Sequence, residues 1–180
     1  MTAHYLSLLK NVTTFLFDMD GVLTNGITII DSDGSPVRNL NSKDGYAIQL
    51  AVKKGYHVAI ISGGFSEPYR KRLLALGVND VFMSTVNKMA VYEKFAAENK
   101  LSADQFVYMG DDIPDYEVMN TVGVAACPAD AATELKSIAA YISSRKGGEG
   151  CVRDIIEKTM RLHGKWFNPA AGHNVIDYTW

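Results

Sequence analysis

Two acidic residues separated by a single position follow an apolar run near the start of the chain. Asp18 and Asp20 come directly after the apolar residues 12–17, and Gly21 comes next. The run is typical of a buried strand, so these carboxylates stand at the end of a hydrophobic element, where an uncompensated charge is costly. A hard divalent cation, which prefers oxygen ligands, is the simplest compensation. A plain polar turn fits the same short pattern, and later segments decide between the two.

An anion-binding set follows farther along the chain. Ser62 and Gly63 come after a second apolar run and offer a hydroxyl and backbone N–H groups at a predicted helix start, which suits a phosphate. Lys88, at the next predicted helix start, offers a mobile positive charge. Taken singly, Ser62 fits a helix N-cap and Lys88 a solvated surface lysine. Their order behind the two acids favours the functional interpretation.

A third acidic segment completes the set. Asp111 would give a divalent cation another carboxylate, and Asp112 and Asp115 follow as supporting acids that also suit a helix start. Carboxylates, a hard cation and anion-binding groups together indicate phosphoryl chemistry, in which an aspartate attacks phosphorus and cations spread the charge of the transferring oxygens. Asp18, fixed at the strand end, is the predicted nucleophile, and Asp20 the predicted general acid and base.

The elements that must position these groups alternate between β-prone runs and amphipathic helices. Strands are predicted at residues 12–17, 57–61, 81–83, 106–109, 123–127 and 141–143, and helices at 46–54, 67–76, 87–99, 115–122, 131–139 and 151–162. This alternation predicts a doubly wound α/β fold with a mainly parallel sheet, whose site lies beyond the carboxyl ends of the strands. Two short runs at 27–30 and 37–40 around an Asp-Gly turn predict a β-hairpin flap over the first acidic loop.

Length and composition narrow the class of protein. The 180 residues, 47% of them hydrophobic and 21% charged, fit one soluble globular domain. A net charge of −2 without a long basic run argues against nucleic-acid or membrane partners. The sequence has no apolar run of membrane-spanning length and no signal-peptide pattern, so a cytoplasmic protein is expected. Cys127 and Cys151 are predicted to be packed or free thiols rather than a disulfide.

The ordered motifs resemble those of the haloacid dehalogenase superfamily of phosphatases. The resemblance rests on residues 18–24, 61–63, 88 and 110–115, and it covers the chain to about residue 166. Within the superfamily the chain looks most similar to the 3-deoxy-D-manno-octulosonate 8-phosphate phosphatases, through segments 21–26, 41–46 and 147–153. The resemblance implies a single Rossmann-like domain over residues 1–166 without a large cap, and residues 167–180 are expected to form a flexible C-terminal tail.

The resemblance also implies an activity and roles for individual residues. It implies a magnesium-dependent enzyme of lipopolysaccharide synthesis that releases the free sugar acid and phosphate through an aspartyl phosphate. Asp18, Asp111 and the main-chain carbonyl of Asp20 would hold Mg²⁺. Phosphate would be bound by Ser62, Gly63 and Lys88, and the sugar acid by Asp20, Asn41, Ser42, Lys43, Asp44, Gly45 and Arg72. Members are typically homotetramers in which a neighbour's flap or tail completes each site.

Two positions depart from the pattern of many relatives. This chain has Gly64 and Gln49 where those relatives carry arginine, and Arg70 or a neighbouring subunit's Arg153 is a candidate replacement. A phosphatase of the nine-carbon sugar-acid 9-phosphate is the alternative within the family. It tends to carry glutamate at position 64, so the eight-carbon substrate is preferred.

Two alternatives come from other classes of protein. A receiver-type phosphoacceptor domain would carry its acceptor aspartate after a middle strand, where this chain has Ser62. A catalytically silent oligomeric scaffold would not need the complete set of groups that the chain carries.

Overall fold

The computed structural model describes residues 4–32, 34, 36–172 and 178–179 and contains a six-stranded parallel sheet covered by helices on both faces. The strands of the described chain are Thr14–Phe17 (β1), Ile29–Ile30 (β2), Pro36–Val37 (β3), His57–Ile61 (β4), Asp80–Phe82 (β5), Phe106–Met109 (β6), Val124–Cys127 (β7) and Tyr141–Ile142 (β8). The main sheet has the order β5-β4-β1-β6-β7-β8. The doubly wound α/β fold predicted from the sequence is therefore confirmed.

The helices lie close to their predicted positions. They are Tyr5–Leu8 (α1), Ser42–Lys53 (α2), Glu67–Ala75 (α3), Lys88–Asn99 (α4), Tyr116–Thr121 (α5), Thr133–Ile138 (α6) and Cys151–Leu162 (α7), and 3₁₀ turns occupy Leu9–Asn11, Ala103–Gln105, Ile113–Asp115 and Pro169–Ala171. Helix α1 was not predicted, because one helical turn is too short to show an amphipathic period. None of the helices in the described ranges has the length and apolar character of a membrane span.

The central strand β1 is buried on both faces. Phe15 and Phe17 belong to the core that packs against α2, α3 and α7, whereas Leu16 belongs to the core under α4, α5 and α6. This division follows from the alternation of side chains along a strand. Because helices cover both faces of the sheet, the sequence of β1 is a continuous apolar run and does not alternate between apolar and polar residues. Cys127 and Cys151 are both buried and free, as predicted.

The predicted flap is a short antiparallel hairpin. Ile29 of β2 pairs with Val37 of β3, and both side chains are exposed. Asp33 and Ser35, which belong to the predicted turn, lie outside the described residues. Residues 173–177 and 180 of the predicted tail also lie outside them. Nearby, Trp166 is buried and the hydroxyl of Tyr46 donates to the carbonyl of Tyr178 at 2.6 Å.

Candidate active site

The sheet order brings the predicted site residues together. Numbering only the six strands of the main sheet along the chain gives the order 3-2-1-4-5-6, which reverses direction between β1 and β6. Ligands in open α/β sheets bind at such a switch point, beyond the carboxyl ends of the strands. Asp18 follows β1, Ser62 follows β4 and Asp111 comes two residues after β6. The order differs from the 2-1-3-4-5 order of receiver domains, which argues against that alternative.

The predicted nucleophile is paired with a buried lysine. Lys88 Nζ lies 2.7 Å from Asp18 Oδ1 and 2.6 Å from Asp115 Oδ1, and all three side chains are buried. Burial alone would lower the pKa of Lys88, but the charges of Asp18 and Asp115 outweigh it and raise that pKa. Lys88 is therefore a fixed positive charge, not the mobile one that was expected, and the alternative of a solvated surface lysine does not apply.

A network of hydrogen bonds holds Asp115 in place. Its Oδ1 accepts from the hydroxyl of Tyr108 at 2.5 Å, and its Oδ2 accepts from the N–H groups of Asp111 at 3.0 Å and Asp112 at 3.4 Å. Both carboxylate oxygens are thus occupied by protein donors, so Asp115 orients Lys88 and the acidic loop. Sequence reasoning missed Tyr108, because a tyrosine inside a buried strand looks like an ordinary core residue.

The carboxylates of this site fit a divalent cation. Oxygens of Asp18, Asp111 and Asp115 lie within 4.8 Å of one another. Burial and the charge of Asp18 raise the pKa of Asp111 to about 8, and burial and the charge of Asp115 raise the pKa of Asp18 to about 6. Such crowding of buried acids favours protonation unless positive charge is added, and a hard metal ion adds it. Since Asp115 is occupied by protein donors, Asp18 and Asp111 are the available side-chain ligands.

Gly21 allows the acidic loops to approach each other. Its φ is +91°, and a Cβ at this position would lie 2.0 Å from Asp111 Oδ2. A side chain at residue 21 would therefore displace Asp111. The glycine that follows Asp18 and Asp20 in the sequence thus has a steric role in bringing the third carboxylate to the site.

Asp20 lies at the exposed side of the cleft. Its side chain is 38% exposed, and its Oδ1 accepts from Arg38 Nε at 2.7 Å and from Thr24 Oγ1 at 3.4 Å. The cleft has a volume of about 330 Å³. It is lined by Asp18, Asp20, Ser62, Gly63, Gly64, Thr85, Val86, Lys88 and Pro114. The candidate nucleophile, the candidate general acid and the candidate phosphate-binding groups therefore share one cavity.

Ser62 belongs to a turn rather than to a helix start. Its Oγ accepts from Gly64 N at 3.1 Å, and its carbonyl accepts from Thr85 N at 2.9 Å. Helix α3 begins only at Glu67, with Ser66 as its N-cap. The helix-start prediction for Ser62 is wrong, because the two glycines extend the loop. The hydroxyl still lines the cleft.

Apart from Asp20, the residues predicted to bind the sugar acid do not line this cleft within one chain. Ser42 and Lys43 line a second cleft of about 580 Å³, together with residues of α7. Asn41 Oδ1 caps α2, and its Nδ2 donates to the carbonyl of Gly148 at 3.2 Å. Asp44 is buried against the start of α7, and Gly45 is buried near Leu76 at the end of α3. Arg72 is exposed on α3.

A residue that sequence reasoning did not single out stands beside Gly64. This is Arg38, which forms the ion pair with Asp20. Arg70, a predicted replacement for the missing arginine, is exposed on α3, and within one chain Arg153 contacts Glu157 at 3.1 Å. The available signal was that Arg38 is the sole lysine or arginine in the sequence between residues 11 and 42, and it lies within the predicted flap strand at 37–40.

Comparisons with known proteins agree with this geometry. A family model of haloacid dehalogenase-like hydrolases matches residues 75–155. The 3-deoxy-D-manno-octulosonate 8-phosphate phosphatase KdsC of Yersinia pestis is 31% identical over 155 residues, covering 86% of this chain and 83% of that protein.

Solved structures give the same picture. The probable YrbI family phosphatase of Pseudomonas syringae has a TM-score of 0.90 and 32% identity, covering 97% of this chain and 98% of that one. The cobalt-bound deoxy-D-mannose-octulosonate 8-phosphate phosphatase of Haemophilus influenzae has a TM-score of 0.83 and 27% identity, covering 87% and 92%.

Proposed function

Because this chain belongs to the 3-deoxy-D-manno-octulosonate 8-phosphate phosphatase family of haloacid dehalogenase-like hydrolases, we propose that it hydrolyses 3-deoxy-D-manno-octulosonate 8-phosphate. The chain is a phosphomonoesterase, and the products would be the free sugar acid and phosphate. The observation that carries the proposal is the buried Asp18–Lys88 pair beside Asp20 in a single cleft. A nucleophile, a cation and a second acid in one cavity are the groups that phosphomonoester hydrolysis needs.

The reaction proceeds in two displacements at phosphorus. Asp18 attacks phosphorus and forms an aspartyl phosphate while the bond to the sugar oxygen breaks, and Asp20 gives that oxygen its proton. Asp20 then takes a proton from a water molecule that attacks the same phosphorus and releases Asp18. Lys88, held between Asp18 and Asp115, keeps a positive charge beside the attacking carboxylate.

We further propose Mg²⁺ as the cofactor, held by Asp18, Asp111 and the main-chain carbonyl of Asp20. Bound there, it would supply positive charge to the oxygens of the transferring phosphoryl group. The raised pKa values of Asp18 and Asp111 support a cation at this place. Asp112 and Asp115 would support the site, since Asp115 Oδ2 accepts from the main chain of Asp111 and Asp112.

The proposed substrate contacts are those that the family resemblance implies. Phosphate would be held by Ser62, Gly63 and Lys88, which line the cleft. The sugar acid would be contacted by Asp20, Asn41, Ser42, Lys43, Asp44, Gly45 and Arg72. Because several of these line a separate cleft within one chain, we propose that a homotetramer brings them to a neighbour's substrate. The exposed flap side chains Ile27, Ile29 and Ile30 are suited to such an interface.

A substrate panel tests the proposed function. Phosphate release with Mg²⁺ would be measured for the eight-carbon and nine-carbon sugar-acid phosphates, for sugar phosphates and for p-nitrophenyl phosphate. We expect the highest kcat/KM for the eight-carbon ester and a loss of at least about a thousandfold in Asp18→Asn. A preference for the nine-carbon ester, or full activity of Asp18→Asn, would contradict the proposal.

A further inference from the structure

The flap contributes one positive charge to the edge of the catalytic cleft. Arg38 directly follows β3, and its Nε lies 2.7 Å from Asp20 Oδ1. Its Nη1 reaches the carbonyl of Phe65 at 3.5 Å. The Arg38 side chain is only 10% exposed, although the flap isoleucines beside it are exposed. The guanidinium group is therefore held where the flap meets the cleft.

Gly64 leaves the space that this guanidinium group occupies. A Cβ built on Gly64 would lie 3.0 Å from Asp20 Oδ2, 3.1 Å from Arg38 Nη2 and 3.6 Å from Ser62 Oγ. A side chain at residue 64 would thus compete with Arg38 for the same place. Nη2 of Arg38 therefore lies close to Asp20 Oδ2 and Ser62 Oγ, which belong to two residues that line the cleft.

Two hydrogen-bond donors near this place lack an acceptor within the described ranges. Nη2 of Arg38 donates to none of the described residues, since the bonds of its guanidinium group are made by Nε and Nη1. The buried hydroxyl of Tyr69 has no partner there either. Burial raises the pKa of Tyr69, as do the charges of Asp44 and Asp20, while Arg38 lowers it, so this hydroxyl lies among the same charges. A buried donor such as the Tyr69 hydroxyl is usually satisfied, and a ligand oxygen at this place would accept from it and from Nη2 of Arg38.

We propose that Arg38 is a specificity-determining residue that binds the carboxylate of an acidic phosphomonoester through Nη2 while Nε holds Asp20. This inference rests on the proposed function for the role of Asp20, which protonates the leaving oxygen. Because Arg38 contacts Asp20, its guanidinium group stands on the leaving-group side of the phosphorus, where the organic part of the substrate lies. The planar fork of arginine can serve two carboxylates at once, which a lysine ammonium group does less well. Arg38 thereby takes the place of the arginine that is absent at position 64.

A matched pair of substrates tests this role. 6-Phosphogluconate and sorbitol 6-phosphate differ in the carboxylate at the end opposite the phosphate. We expect wild type to favour the acid in kcat/KM. In Arg38→Met this preference should fall at least about tenfold, because a charged hydrogen bond is lost. Arg38→Lys should keep little of the preference for the acid. Gly64→Ala crowds Arg38 without removing the guanidinium group, and it should also reduce this preference.

The ratio of kcat/KM for 6-phosphogluconate to kcat/KM for sorbitol 6-phosphate separates recognition of the carboxylate from positioning of Asp20. Any effect of Arg38 on Asp20 changes the hydrolysis of both esters by the same factor and therefore cancels in the ratio. Arg70→Met is the matched control, since it removes the same charge from α3 and should leave the preference within about twofold. Equal losses on both esters, or an unchanged preference in Arg38→Met, would overturn the proposal, and so would a wild type that favours neither ester. Thermal melts check that each variant folds.

This result is independent of the eight-carbon substrate. If wild type hydrolyses the matched pair and p-nitrophenyl phosphate but not 3-deoxy-D-manno-octulosonate 8-phosphate, the proposed function fails while the preference given by Arg38 is still measured. If the preference is absent while the eight-carbon ester is hydrolysed, the role of Arg38 fails alone.

Discussion

Single residues in the catalytic cleft are held by bonds that leave little freedom to move. Lys88 is fixed by two carboxylates, and Asp115 is fixed in turn by Tyr108 and two main-chain N–H groups. Rigid charges need little reorganisation when charge develops during a reaction, which is the main physical source of electrostatic catalysis. The Tyr108 hydroxyl, although remote from the cleft surface, therefore contributes to the position of Lys88.

Tyr108→Phe should weaken both the fold and the reaction. The change removes one hydrogen bond to a buried carboxylate, so we expect the free energy of unfolding to fall by about 1–2 kcal/mol and kcat to fall several-fold. Urea unfolding and p-nitrophenyl phosphate hydrolysis would measure the two effects. Tyr92→Phe is the matched control in the same core, and its unfolding free energy should change by less than about 0.5 kcal/mol. Equal effects of the two variants would contradict the role given to Tyr108.

The sequence was sufficient to predict the acids and the lysine but not all of their surroundings. Asp18, Ser62 and Asp111 each follow a recognisable strand, and parallel strands place such residues at one edge. Arg38 could not be found in this way, because its place beside Gly64 depends on how the hairpin folds back over the cleft. Long-range contacts of that kind leave no periodic signal in the chain.

At the scale of elements, α2 and α7 are joined by a buried acid. Asp44 Oδ1 accepts from the N–H of Arg153 at 2.6 Å, in the first turn of α7, whose N-cap Gly150 offers no side chain. Asp44 thus supplies from another helix the acceptor that the start of α7 lacks. The sequence predicted both helices from their apolar periods, yet this cross-helix cap was hidden within a segment expected to contact substrate.

Asp44→Asn should change how stability depends on pH. Burial raises the pKa of Asp44 from 3.8 to about 6, despite hydrogen bonds from α7. The folded chain therefore binds more protons than the unfolded chain between these values, and the contribution of Asp44 to stability falls as the pH rises from about 4 to about 6. We expect the unfolding free energy of wild type, relative to the variant, to drop by on the order of 2–3 kcal/mol over this range and then level off.

Urea unfolding at several pH values would measure this difference. The same substitution at Asp154 provides a comparison of opposite sign. Burial acts to raise the pKa of Asp154, but hydrogen bonds from Ser143 and Tyr141 outweigh it and leave that pKa lowered. The stability that Asp154 contributes is therefore lost as the pH falls. A difference for Asp44→Asn that does not vary with pH would show that Asp44 is not a buried titrating group.

At the scale of the whole molecule, the flap carries apolar side chains that no other part of a single chain covers in the described residues. Ile27, Ile29 and Ile30 are each more than 60% exposed. Ile27 and Ile29 line one surface together with Val37, and Ile30, the next residue of the strand, points to the opposite face. Exposed apolar clusters of this kind mark surfaces that associate. Assembly through the flap is consistent with a substrate site shared between neighbours, because Arg38 lies at the base of the same hairpin.

Ile29→Asp tests the proposed homotetramer and should dissociate it. A charge in an apolar interface is costly to bury, so we expect the mass measured by light scattering to fall toward that of one 19.7 kDa chain. Leu74→Asp, at an exposed position on α3, is the control and should leave the mass unchanged. An unchanged mass in Ile29→Asp would exclude the flap as the interface. Activity toward the sugar-acid phosphate should fall with dissociation.

The central claim is that the acidic ends of β1 and β6 share one divalent cation beside the nucleophile. The most direct test is a crystal soaked with Mn²⁺ in place of Mg²⁺, with the ion located by its anomalous scattering. We predict one peak bonded to carboxylate oxygens of Asp18 and Asp111 and to the carbonyl of Asp20, at distances near 2.1 Å. An ion bound elsewhere, or carboxylates that stay more than about 4 Å from it, would contradict the account.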